Sequence, residues 1–422
     1  MGSLRYLFVD MNSYFASVEQ QERPELRGRP IGIVPSMVET TCCIAASYEA
    51  KRAGVKTGTS VHQARGLCPS IQFIEARPPL YVQYHHRILD VAEQVVHVEQ
   101  VCSIDEFYSK LIGRECLTSN AVDLAWKIKG YLREQVGACL RCSVGIAPSV
   151  WLAKVATDME KPDGLSVILP EDIPHLLFSL DLKDLPGIGR RMEARLHAHG
   201  IQTVRQLWAL NLRQLQAIWG SRVWAETWWH HLRGHDLPPK PTFRRMVGQS
   251  HVLAPSLRHP AGVRAVLIRL LHKAAARLRK LRYRADLLTI GVEHLDRPPW
   301  SGQTRLGCVS DTFSILQGFQ RIWPAWPGGA PLRAAVTLSH LISQAGATLP
   351  LFRYQQNLDR LAEIMDRLNL KYGRYIVYFG GMFGSDQAAP TRISFTQIPD
   401  QEDFGDSTGK TLILRAHNPA QP

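Results

Sequence analysis

Two places in the chain set carboxylates where a metal-dependent reaction could use them. Asp10 follows an apolar run at 4–9, and Asp105 and Glu106 follow a second extended stretch at 98–103. Acids at the ends of adjacent strands can converge. Three hard oxygen donors meeting there suit Mg²⁺, which takes few carboxylates and completes its shell with water and substrate phosphates. Two such ions about 3.5–4 Å apart can activate a hydroxyl and stabilise a leaving phosphate in an in-line displacement. Taken singly, each acid reads as readily as a helix cap or a turn residue, and spacing alone does not choose.

The elements that must position these acids follow from hydrophobic period and breakers. Residues 4–9 read as a buried strand and 13–22 as a helix. Strands are expected at 31–34 and 41–46, and a helix from 48 that stops at Gly54. Helices at 81–96 and 121–136, an extended segment at 98–103, a strand at 139–147 and a helix at 149–159 complete an α/β unit to about residue 172. Residues 175–234 read as short-looped helices. The Pro-rich connector at 234–241 is the best linker in the sequence. Beyond it a small α+β unit is expected, with strands at 245–254, 285–295, 306–311 and 332–340 and helices at 261–282 and 312–323. A helix at 355–369 and a strand or hairpin at 374–381 follow.

Composition narrows the partner. The chain has 422 residues, 45% hydrophobic and 21% charged, which excludes a wholly disordered, collagen-like or coiled-coil protein. Lys and Arg exceed Asp and Glu by 50 to 37, a net +13 that points to a polyanion. No apolar stretch approaches the roughly 18 residues of a spanning helix, and the N-terminus fits neither a signal peptide nor a myristoylation pattern, so a membrane is not expected. The eight cysteines are scattered, with a single CxxC at Cys139 and Cys142, so ordinary thiols in a reduced, cytoplasmic protein are expected.

Five ordered motifs carry a resemblance. Residues 9–19 (VDMNSYFASVE) and 103–108 (SIDEFY) resemble the two catalytic motifs of Y-family, translesion-type DNA polymerases. Residues 46–55 (ASYEAKRAGV) look like that family's finger segment, 142–147 and 153–164 (CSVGIA, AKVATDMEKPDG) like the end of its palm, and 185–189 (LPGIG) like its thumb. The closer likeness is to the bacterial polymerase IV and polymerase V catalytic-subunit class. The resemblance implies an α/β and α+β multidomain, right-hand polymerase. Its palm would be 1–19 and 79–174, fingers 20–78, a helix-hairpin-helix thumb 175–234, a linker 235–244, a little finger 245–345 and a tail 346–422. It also implies roles. Asp10 and Asp105 would bridge two Mg²⁺ ions, for which Mn²⁺ can substitute, with Glu106 and the Met11 carbonyl completing the sites. Tyr14, Tyr48, Lys51, Arg52 and Lys161 would meet the incoming deoxynucleoside triphosphate, and Phe15 would be the steric gate under its sugar.

The sequence departs from the family pattern in four places. Lys51 stands where Arg is usual, a point charge in place of a bidentate fork, which weakens the phosphate grip or passes it to Arg52. Ala45 replaces a common Thr, residues 35–41 are short and polar, and Ser109-Lys110 replaces a common Leu-Asp. None removes a metal ligand.

The basic surplus is local. Nine Lys or Arg and no acid lie between 251 and 285, among them Arg277, Arg279, Lys280, Arg282 and Arg284, where an ordinary solvated helix mixes signs. Primer-template DNA is the expected partner there, as it is at Gly187, Gly189, Arg190 and Arg191, whose turn exposes N–H groups at a helix start. Trp219, Trp224, Trp228 and Trp229 could stack on bases, but their spacing favours core packing. Leu349, Leu351 and Phe352 resemble a sliding-clamp-binding peptide that lacks its usual leading Gln, and an ordinary strand end fits as well. The tail resembles that of the polymerase V catalytic subunit, which suggests a damage-response accessory protein.

The resulting expectation is low-fidelity, template-directed DNA synthesis. A catalytically inactive DNA-binding scaffold and a different palm-type enzyme, such as a nucleotide cyclase, are the rivals.

Overall fold

The computed structural model describes residues 4–238, 243–348, 350–373, 375–382, 388–389 and 398. The chain divides near residue 240 into two units.

The first unit is built on a five-stranded sheet. In chain order its elements are β1 (Tyr6–Met11), α1 (Tyr14–Glu22), β2 (Ile31–Val34), β3 (Ala45–Ala46), α2 (Tyr48–Arg52), α3 (Val61–Leu67), β4 (Gln72–Glu75), α4 (Pro78–Glu93), β5 (Gln100–Ser103), β6 (Glu106–Lys110), α5 (Thr118–Tyr131), β7 (Cys142–Ala147), α6 (Val150–Met159) and β8 (Leu165–Val167). The sheet order is β5-β6-β1-β7-β8. Central β1 is buried along its whole length, which explains its unbroken apolar run before Asp10. It pairs antiparallel with both β6 and β7, placing Asp10 opposite Glu106 on one side and Ser143 on the other.

Helix α6 is N-capped by Ser149 and lies on β1 and β7. At Gly145 in β7 the approach is so close that a Cβ would overlap the Ala153 carbonyl oxygen. A second sheet, β3-β2-β4, forms a small lobe with its own core. The strand expected at 41–46 shrinks there to two residues, and β4 was not anticipated.

Four helices follow, α7 (Arg190–Ala198), α8 (Val204–Trp208), α9 (Leu212–Trp219) and α10 (Arg222–Leu232). Capping boxes at Thr203/Gln206 and Asn211/Gln214 start α8 and α9, and Gly220 at φ 65° ends α9. Their apolar residues join Phe8, Leu152 and Ala156 in one continuous core, so no break in packing marks residue 175.

The second unit is a four-stranded antiparallel sheet under two helices. Its elements are β9 (Met246–Val252), α11 (Pro260–Lys280), β10 (Tyr283–His294), β11 (Trp300–Val309), α12 (Thr312–Ile322), β12 (Pro331–Ser343) and α13 (Arg353–Tyr372). The order is β11-β10-β12-β9, with α11 and α12 on one face. The expected strand or hairpin at 374–381 is absent among the described residues, which form turns and a short 3₁₀ helix, Gly380–Met382. Asn369 supplies the reason: its amide donates to the Val377 carbonyl and its carbonyl accepts from the Val377 N–H, 2.9 Å each, which closes the chain into a turn. Residues 239–242 of the expected linker, Leu349, Arg374 and most of the tail beyond 382 lie outside the described residues. All eight cysteines carry free thiols.

Candidate active site

Asp10 lies in β1, Glu106 opens β6, and Asp105 occupies the turn between β5 and β6, where its carbonyl accepts from the Met11 N–H at 2.8 Å. The sheet register therefore brings the three acids to one edge of the first unit. They do not yet share a ligand. Asp10 and Glu106 turn to the Lys154 ammonium of α6, Glu106 at 2.8 Å. Asp105 instead accepts from Ser103 Oγ at 2.5 Å. Asp10 also binds Lys161 at 2.8 Å, and Lys161 reaches Asp158 at 2.7 Å. Among the described residues no three acidic, His or Cys side chains stand in a preformed metal cage.

The electrostatics of the cluster are uneven. Burial pushes the Asp10 carboxyl up, but Lys154 and Lys161 together bring it below its usual value. Burial dominates at Asp105 and, despite Lys154, at Glu106, so both carboxyls are held above the usual range. The carboxylates of Asp10, Glu106 and Asp158 outweigh the burial of Lys154 and raise its ammonium further.

Helix α2 meets this cluster. Ser47 caps α2, which sets Tyr48 and Lys51 side by side, the ammonium 4.7 Å from the ring centroid. Burial raises the Tyr48 hydroxyl and, with the nearby Lys161 charge, lowers the Lys51 ammonium. Arg52, one turn on from Tyr48, is exposed.

Phe15 is buried and stacks on Tyr81, centroids 4.5 Å apart and planes at 20°. Glu19 locks that stack in place: fully buried, it takes two bonds from Arg77 (2.6 and 3.0 Å) and one from the Tyr81 hydroxyl (2.8 Å). Tyr14 is placed differently from the expectation of a nucleotide contact. It is buried, and its hydroxyl donates to the Tyr81 carbonyl at 2.6 Å, so it braces the same stack from behind.

In the helical part, Gly187 (φ 103°) packs against Trp228, and Trp151 donates to the Pro186 carbonyl at 3.1 Å. The turn is thereby rigid, with Gly189, Arg190 and Arg191 exposed at its rim. Trp219 and Trp228 are core rings, as their spacing predicts, and Trp229 lies under the Arg233 guanidinium. Trp224 alone of the four is largely exposed.

The second unit corrects two DNA-contact expectations. Arg279 is buried in a bidentate pair with Asp366 (2.6 and 2.8 Å) and donates to the Ser310 carbonyl. Arg284 is buried against Asp359 at 2.5 Å. Both partners lie on α13, so these two arginines fasten a helix and do not face solvent. Lys280 and Arg282 are exposed, and Arg277 is half-buried. Leu351 and Phe352 are exposed beside the start of α13.

Lys154, Asp158 and Ser103 were not singled out from the sequence. Lys154 and Asp158 share a helical face at i,i+4 within the 153–164 motif, and that spacing was the available signal.

Family models match along the chain in order. The impB/mucB/samB family matches 9–158, the DNA polymerase-iota thumb domain 183–236, and the impB/mucB/samB C-terminal domain 244–351. DNA polymerase IV of Moorella thermoacetica is 33% identical over 387 residues, covering 88% of this chain and 94% of that one. DNA polymerase IV 1 of Bacillus subtilis is 27% identical, covering 94% and 97%. Among solved structures, a Y-family DNA polymerase chimera aligns with TM-score 0.67 at 24% identity over 80% of this chain and 99% of its own, a likeness of fold. The insertion ternary complex of Dbh DNA polymerase aligns with TM-score 0.54 at 26% identity and the same coverage.

Proposed function

Because the chain belongs to the Y-family of DNA polymerases, we propose that it extends a primer 3′-hydroxyl on a DNA template, with low fidelity and across lesions. The observation that carries the mechanism is the register of β1 and β6, which sets Asp10 opposite Glu106 beside Asp105, with Tyr48, Lys51 and Lys161 gathered around them.

The family uses divalent metal ions, and the residues here fit one. The donors are hard oxygens, and a cation, the Lys154 ammonium, already bridges Asp10 and Glu106. Asp10, Asp105, Glu106 and the Met11 carbonyl would hold two Mg²⁺ ions. When bound they supply the positive charge that an attacking hydroxyl and a departing pyrophosphate require. The rest falls to the chain. Tyr48, Lys51 and Lys161 grip the triphosphate, with Arg52 at the margin. Phe15 lies under the sugar, and the Glu19–Arg77–Tyr81 network keeps that ring from yielding to a 2′-hydroxyl.

Gly187, Gly189, Arg190 and Arg191 contact the DNA backbone. In the second unit, Arg277, Lys280 and Arg282 remain as contacts. The sheet face away from α11 and α12 adds a flat polar surface of Ser250, Thr289, Gly291, Gln303, Arg305 and Thr337. Leu351 and Phe352 would anchor in a sliding clamp, and the tail would meet an accessory protein. Among the described residues no helix is long and apolar enough to cross a membrane, and a cytoplasmic site of action agrees with this reading.

Primer extension on an undamaged template tests it, comparing wild type with Asp105→Ala/Glu106→Ala in Mg²⁺ and all four deoxynucleotides. Extension by wild type and none by the variant is expected. Salt-sensitive DNA binding with no extension by either, even with clamp and recombinase filament added, would favour the scaffold.

A further inference from the structure

Lys154 has no role in the reading above beyond marking where positive charge belongs. Its surroundings give it one. The ammonium contacts Asp10 Oδ2, Glu106 Oε1 at 2.8 Å and Asp158 Oδ2 at 3.5 Å, and the side chain is only 20% exposed. Three N–H donors thus meet three carboxylates. Asp10 Oδ2 is shared with Lys161, so neither lysine can leave without shifting charge onto the other. Asp105, which pairs with no ammonium among the described residues, is turned aside onto Ser103 Oγ.

A divalent ion held by Asp10 and Glu106 would need the same carboxylate oxygens that the ammonium now occupies. Like charges at that separation repel strongly in a half-buried site. Asp158 offers the exit. It lies one turn further along α6, so a Lys154 side chain released from the sheet acids keeps a partner on its own helix.

We propose that Lys154 is a resident counter-ion: it holds Asp10 and Glu106 together in the metal-free protein and must yield to Asp158 before a divalent ion can bind. The inference rests on the metal reading of the acid cluster. Lys154 acts on the ligands and not on substrate, and is a positioning residue.

The test is Mn²⁺ binding to the full chain without DNA or nucleotide, read as loss of the free-ion electron paramagnetic resonance signal, alongside thermal unfolding in chelator and in Mn²⁺. Lys154→Met should bind Mn²⁺ at least about tenfold more tightly, since the unit charge that competes for the ligand oxygens is gone. It should unfold at lower temperature than wild type in chelator, and saturating Mn²⁺ should restore the difference. Lys154→Arg, which keeps the charge, should return both properties toward wild type. Should the Met variant fail to fold, Lys154→Gln, which keeps a donor without the charge, carries the same comparison. Equal Mn²⁺ affinity in wild type and the uncharged variant, or weaker binding in the variant, overturns the inference while leaving the metal site standing. No Mn²⁺ binding by either protein overturns the site and the inference together.

Discussion

In the first unit, Asp10, Glu106 and Asp158 share Lys154 and Lys161, so three carboxylates face two ammonium groups, and Asp105 lies beside them on Ser103. In the second, Arg279 meets Asp366 and Arg284 meets Asp359, one charge against one. The chemistry of the pairs is alike and the balance is not. A matched pair closes on itself and fastens helix α13. An unmatched cluster retains an appetite for cations, and burial makes it costly, as the raised carboxyls of Asp105 and Glu106 show. The first arrangement is held at some expense to stability, the pattern expected of a site built for a ligand.

That contrast can be broken at several points. Asp105→Asn should cut primer extension about 10³-fold, the scale of losing one electrostatic contact to the transition state. The same change should leave unfolding unchanged or shift it upward in chelator, because a carboxyl held above its usual range by burial is a charge the fold resists. A clear loss of stability would mean that the acid is structural.

Acid should affect both units alike, which sharpens the contrast by showing what the clusters do not explain. His85 lies in the first unit, 2.8 Å from the Ile104 carbonyl, and His272 in the second, with no partner for Nε2 among the described residues. Burial lowers each from 6.5 to about 4. The unfolded chain therefore binds protons first, and stability falls as pH drops from about 6.5 toward 4. The loss approaches about 3 kcal/mol per histidine at about 1.4 kcal/mol per pH unit. Denaturant unfolding at pH 7.5 and 5 should show a shallower fall in His85→Gln and in His272→Leu than in wild type.

Asp366→Asn should do the reverse of Asp105→Asn. It strands the buried Arg279 guanidinium and should cost about 2 kcal/mol of second-unit stability, below the range for fully buried pairs because Asp366 is itself partly exposed. Extension of an undamaged primer at low salt should be unchanged. The smallest effect is expected at Lys51→Arg. A guanidinium there would grip phosphate in two places, and KM for the incoming nucleotide should fall about threefold with kcat unaltered. Single-nucleotide insertion kinetics would measure both.

The acid cluster was legible because each acid lies inside a local motif, and the pairing of β1 with β6 then aligns Asp10 with Glu106 without further help. Arg279 and Arg284 were misread for the opposite reason. Locally they belong to a one-sign stretch, but their partners come 87 and 75 residues later, on α13. Charge pattern is a property of neighbours in sequence, and neutralisation is a property of neighbours in space. Lys154 fell between these cases. Its helix was expected at 149–159, yet its contact with Asp10 spans 144 residues, and only the packing of α6 on β1 reveals it. Tyr14 and Phe15, adjacent in sequence, could not be told apart until Tyr81 was placed: Tyr14 donates to its carbonyl and Phe15 stacks on its ring.

The missing side chain at Gly145 sets how far α6 stands from the sheet, and so how far the Lys154 ammonium reaches. Residue 145 touches no substrate and carries no charge, and a survey of reactive groups would pass over it. A mutational library aimed at fidelity or lesion range would nonetheless find one permitted letter there. Even a methyl would lift the helix, and Lys154 and Asp158 would leave the acids together.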